Sequence, residues 1–106
     1  MVDRLPMLLK MVEAKPNEPF VRYGLAMEYR KLGRLDEAIA AFEQLLERHP
    51  SYVPAYLMFG NLLSGLPGHG RRAQAIEVLD RGLAAAEQAN DDHALGELRA
   101  ARDNLA

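Results

Sequence analysis

The chain has 106 residues, 49% of them hydrophobic, with a net charge of -2, which suits one small domain with a modest core. Cysteine, threonine and tryptophan are missing, and serine occurs only at Ser51 and Ser64. Disulfides, zinc–thiolate sites and thiol catalysis are therefore excluded, and the lack of a basic stripe argues against a nucleic-acid binder.

The opening residues, "MVDRLPMLLK", lack a basic region followed by a long apolar run and a small-residue cleavage site. No signal peptide is expected, and a cytoplasmic setting follows. A first helix is predicted over about 4–14, with Asp3 as its cap and Pro16 beyond its end. A second spans about 18–32, with Asn17 as cap, Pro19 just inside, and Gly33 at its close. The third, about 35–48, carries Asp36 and Glu37 in its first turn, where the helix dipole favours acids.

Ser51 is the expected cap of a fourth helix over about 52–65. From Ser51 to Gly70 there is no Asp, Glu, Lys or Arg. A membrane span needs about 20 mostly apolar residues; Pro54, Gly60, Asn61, Ser64, Gly65 and Pro67 interrupt this stretch. A short helix buried on most sides is the reading. The fifth helix is predicted over about 71–89, with Gly70 assigned the same helix-ending role as Gly33. The sixth, about 92–104, follows a cap at Asp91 and gathers Ala94, Leu95, Leu98, Ala101 and Leu105 on one side.

The chain repeats itself. Leu25, Ala26 and Tyr29 return 34 residues later as Phe59, Gly60 and Leu63. Gly33, Ala38, Ile39 and Phe42 return 37 residues later as Gly70, Ala75, Ile76 and Leu79, so the second turn, "SGLPGHG", is longer by 3. Stepping back 34 from Phe42 and Pro50 gives Leu8 and Pro16, the second half of an earlier copy. A period near 34 signals stacked helical hairpins. Ala38 and Ala75 are the places where two helices can approach closely.

These residues resemble the tetratricopeptide repeat family, in the form of a small bacterial-type stand-alone domain. The resemblance runs from about Leu8 to Leu83. The first copy carries Leu25, Ala26, Tyr29, Gly33, Ala38, Phe42 and Pro50 of the family pattern, but has Arg22 where tryptophan is usual and Leu45 where alanine is. The second carries Tyr56, Phe59, Gly60, Gly70, Ala75 and Leu79, with Gly82 for alanine and no final proline. The resemblance implies an all-α chain of about six helices, with antiparallel hairpins stacked as a short right-handed superhelix, an α-α solenoid. The expected plan is one domain over 1–106: a half repeat at 4–16, full repeats at 17–50 and 51–89, and a closing helix at 91–105.

At 100° per residue the second helix has two apolar stripes. Leu25, Ala26, Tyr29 and Leu32 form one; Phe20, Tyr23 and Met27, extended by Arg30 and Lys31, form another nearly opposite. The second stripe is either covered by neighbouring helices or lines a groove. The family binds peptides or proteins in a concave face, and the resemblance places Phe20, Tyr23, Met27, Arg30, Lys31, Leu57, Asn61, Ser64, Leu98 and Arg102 there. Asn61 is a lone amide on an otherwise apolar helix. If buried it needs a partner, either an internal carbonyl or a bound peptide backbone. Some family members hold a chaperone's C-terminal carboxylate with paired Lys and Asn; the matching positions here are Tyr23 and Met27, so that clamp is absent.

The expected function is non-catalytic binding of another protein or peptide, docked on Tyr23, Met27 and Leu57. Arg30, Lys31 and Arg102 favour an acidic flank. A homodimerisation module and a non-catalytic regulatory subunit are the alternatives. No cofactor, metal, membrane or nucleic acid is expected. His93 and Glu97 share an i, i+4 spacing without a convincing third ligand, and His49 and His69 lie far off. Neither serine has a base placed by the sequence. "LPGHG" with Arg71 and Arg72 lacks phosphate-loop spacing and reads as a loop insertion.

Overall fold

The computed structural model describes residues 3–105, excluding the side chain of His69. The His69 side chain weighed above as a ligand therefore lies outside the described residues. Among the described residues six helices follow one another: α1 (Leu5–Ala14), α2 (Pro19–Lys31), α3 (Leu35–Arg48), α4 (Val53–Ser64), α5 (His69–Gln88) and α6 (Asp92–Asp103). No strand occurs among the described residues, and no described helix is long and apolar enough to cross a membrane. The chain divides into two compact units between His49 and Pro50.

In the first unit α2 packs against both α1 and α3. The reason is clearest in α3, where Ala38, Ile39, Ala41, Phe42, Leu45 and Leu46 are buried. Their spacing wraps one face of the helix, while the other face stays polar. Gly33 answers for the break between α2 and α3. Its φ is 75°, a left-handed conformation in which a Cβ would be strained. Its N–H donates to the Arg30 carbonyl at 3.1 Å, and that of Arg34 donates to the Tyr29 carbonyl at 2.9 Å. These paired bonds satisfy the last carbonyls of α2 and turn the chain back.

In the second unit α4 packs against α5, and α6 packs against both. Two glycines allow close approach. A Cβ on Gly60 would stand 2.5 Å from Leu79 Cδ2, and one on Gly82 would stand 2.5 Å from Tyr56 Cβ and 3.0 Å from Leu98 Cδ2. Asn90, at φ 55°, ends α5 as Gly33 ends α2. Its N–H donates to Glu87 and that of Asp91 to Ala86.

Several local expectations change. Gly70 does not end a helix: α5 begins at His69, and the strained conformation belongs to Gly68, at φ 110°. In the longer turn the chain reverses one step after Pro67, so Gly70 already lies in the first turn of α5. Asn17 and Ser51 are not caps; Glu18 and Tyr52 stand there, with no side-chain cap bond. Pro19 and Pro54 instead open their helices, where a missing N–H costs nothing. Asp3 and Asp91 do serve helix starts: the Leu5 N–H donates to Asp3 at 2.9 Å and that of Ala94 to Asp91 at 3.0 Å.

Candidate functional site: the outer face of α2

The buried side of α2 holds Val21, Arg22, Leu25, Ala26 and Glu28. A cation and a carboxylate there need partners. Arg22 Nε donates to the Pro16 carbonyl at 2.8 Å. Burial, and to a smaller degree Arg48, holds its pKa below the usual guanidinium value. Glu28 accepts a long bond of 3.4 Å from the Arg4 N–H, at the start of α1, where a carboxylate complements the helix dipole.

The opposite side carries the predicted stripe. Phe20 is 70% exposed. Tyr23, Met27 and Arg30 are half-buried, and Lys31 is exposed. Tyr23 is held by an edge-to-face contact with Phe42, ring centroids 6.5 Å apart and planes at 67°. Burial raises its phenol pKa, and the Arg30 charge partly offsets this. Arg30 and Lys31 occupy the last turn of α2, where the dipole favours cations. The α2 face therefore presents an exposed aromatic ring, a thioether, an anchored phenol and two cations.

The second unit's candidates divide. Leu57 is half-buried, and Asn61 and Ser64 are exposed. Asn61 is thus not a buried amide in need of an internal partner, because its position on α4 faces outward. The Ser64 hydroxyl donates to the Asn61 carbonyl at 3.0 Å. Arg102 is half-buried and pairs with Asp80, Nε to Oδ1 2.9 Å. Leu98 is a correction: at 1% exposure it belongs to the core, filling the space that the missing Gly82 side chain leaves.

No cluster of three metal-ligating side chains occurs among the described residues. His93 and Glu97 touch at 3.0 Å on an open helix face. The basic pair after "LPGHG" is engaged internally. Arg71 donates to Gln74 at 2.9 Å, and Arg72 donates to the Leu105 carbonyl.

Consecutive antiparallel helix pairs, each turned at a positive-φ glycine and closed over small side chains, define a helical-repeat protein. The chain belongs to the tetratricopeptide repeat family. The family pattern matches residues 19–62. A tetratricopeptide repeat domain protein from Salinibacter ruber is 34% identical, covering 83% of this chain and 96% of its own, with a TM-score of 0.76. A protein from Bordetella parapertussis is 27% identical over 99% of this chain and 89% of its own, at a TM-score of 0.79. The TPR2B domain of yeast Sti1, solved in a pHsp70 complex, is similar in fold, with a TM-score of 0.83 at 21% identity, covering 95% of this chain and 78% of that one. The curated proteins yield no match. Domains of this family in general mediate protein–protein interaction without catalysis.

Proposed function

We propose that this chain is a non-catalytic protein-binding module and that the outer face of α2 is its docking surface in the first unit. One observation carries the reading: Phe20 is 70% exposed on the same stripe as Met27 and Lys31. An aromatic ring held in water is a cost that a partner removes. Tyr23 supplies a rigid anchor beside it, and Met27 adapts to different apolar contacts. Arg30 and Lys31 favour acidic residues flanking the partner's apolar segment. The second unit offers Leu57, Asn61, Ser64 and Arg102 on its own surface. The similarity to yeast Sti1 supports peptide binding as a class of function, while Tyr23 and Met27 replace the carboxylate-clamping residues and argue for a different ligand.

The test is selection of displayed peptides on the immobilised chain, with Phe20→Ser/Met27→Ala as the counter-target. The expected outcome is a family of apolar peptides with acidic flanks that bind the wild type and lose at least about tenfold in affinity on the variant. Circular dichroism checks that the variant stays helical. Selected peptides that bind both proteins equally overturn this surface.

A further inference from the structure

A second apolar face lies on α1, away from the α2 stripe. Met7 is 54% and Met11 39% exposed, and with Pro6, Lys10 and Ala14 they line a shallow hollow. The repeat says what belongs there. Stepping 34 residues forward, Met7 and Met11 correspond to Ala41 and Leu45 of α3, and 37 further to Val78 and Gly82 of α5. Ala41, Leu45 and Val78 are 9%, 0% and 3% exposed, and Gly82 is also buried. Only in α1 is the position open. At Gly82 the covering atoms come from Leu98, on the helix that follows α5, and, nearer, from Tyr56, on the helix that precedes it. The two helices in that role, α2 and α4, share one spacing: Arg22, Leu25 and Ala26 in the first, Tyr56, Phe59 and Gly60 in the second. Each is bulky, bulky three on, then small.

Charge selects the kind of helix. Arg4 and Lys10 lie about 60° to either side of Met7 around α1, and Glu13 about 120° away. Lys15 follows at the helix end. A second copy's α1 would set Arg4, Lys10 and Lys15 against the same cations, which disfavours self-pairing across a two-fold axis. We propose that the Met7–Met11 face of α1 docks an amphipathic helix of a partner protein, with a bulky-x-x-bulky-small stripe and acidic flanks. The docked helix packs on α1 as α2 packs on α3 and α4 on α5.

The probe is a hydrocarbon-stapled helix of about 15 residues, since shorter free helices are marginal in water. It carries a Tyr-x-x-Phe-Gly stripe flanked by Glu, and its control has Lys at each Glu. Fluorescence anisotropy with the full chain should give at least about tenfold tighter binding of the acidic probe. Met7→Glu/Met11→Glu should abolish that binding, and Gly96→Ala, in the open middle of α6, should leave it unchanged. Should the methionine variant lose its helicity, Arg4→Glu/Lys10→Glu replaces it and should reverse the preference towards the Lys control. Equal binding of both probes, or binding unaffected by these variants, overturns the proposal. Light scattering that finds a dimer abolished by the α1 variants assigns the face to a second copy and overturns it as well.

Discussion

Arg22 and Tyr56 stand at the same place in successive repeats and make the same bond with different chemistry. Arg22 Nε donates to the carbonyl of Pro16 at 2.8 Å, and the Tyr56 hydroxyl donates to that of Pro50 at 2.5 Å. Each bond reaches back six residues, from the first helix of a hairpin to the proline that closed the previous one. The bond ties the segment before the new helix to that helix's own side chain. The residue type at that place matters less than a polar tip at the end of a long, buried stem.

Arg22→Tyr should therefore be tolerated, changing stability by no more than about 1 kcal/mol, because it exchanges a desolvated cation for the group the next repeat uses. Arg22→Ala leaves the Pro16 carbonyl unmet and should cost about 2 kcal/mol. Tyr56→Phe, which removes only the hydroxyl, should cost about 1 kcal/mol. Urea unfolding of the three variants checks the order. Equal losses for Arg22→Tyr and Arg22→Ala would show that the guanidinium itself is required.

The glycines make opposite predictions under one substitution. Gly82→Ala should destabilise by about 1–3 kcal/mol, since the new Cβ meets Tyr56 Cβ, which cannot swing aside. Gly33→Ala should cost about 1 kcal/mol through its positive φ, although nothing lies within 4 Å of the added atom. Gly96→Ala, in the open middle of α6, should stabilise by up to about 1 kcal/mol. Gly70→Ala should be neutral or slightly stabilising. Thermal melts of the four variants test this, and a large loss at Gly70 would contradict its place inside α5.

Tyr23 should make stability fall at high pH. Its folded-state pKa lies above the ordinary 10.0 because burial penalises the phenolate. The neutral form is favoured by folding, so its contribution is complete below about pH 10 and is lost as the pH rises through the folded pKa. Denaturation midpoints of wild type and Tyr23→Phe should run parallel at neutral pH. Above about pH 10 the wild type should fall faster. Arg30→Gln should steepen that fall, because the guanidinium moderates the shift.

Leu98→Ala should cost about 2–5 kcal/mol, as for any fully buried leucine, and Phe20→Ser should stay within about 0.5 kcal/mol of wild type. Chemical denaturation separates the two. A mild effect at Leu98 together with a large one at Phe20 would invert the assignment of core and surface.

Helix number, order and approximate limits were legible in the sequence because they rest on short-range rules. Apolar spacing sets the buried face of α3, Gly33 closes α2 through its own backbone conformation, and Asp91 caps α6 within a single turn. Even so, the longer second turn misled the reading of Gly70, since the residue that must adopt positive φ there follows Pro67 directly. The outward stripe of α2 was visible as a pattern. Periodicity cannot distinguish a wet face from a covered one, and both Leu98 and Phe20 sat on apolar stripes.

What the sequence determined by itself is the repeat: its period, its turns and the helix pairs they create, all consequences of interactions between residues a few positions apart. Only the tertiary structure decided which stripes are covered. It put Leu98 into the core, because Gly82 leaves room that α6 must fill. It left Phe20 in water and gave Arg22 a carbonyl to hold. Burial depends on what a neighbouring helix brings to the same place, and that pairing is decided across tens of residues of chain.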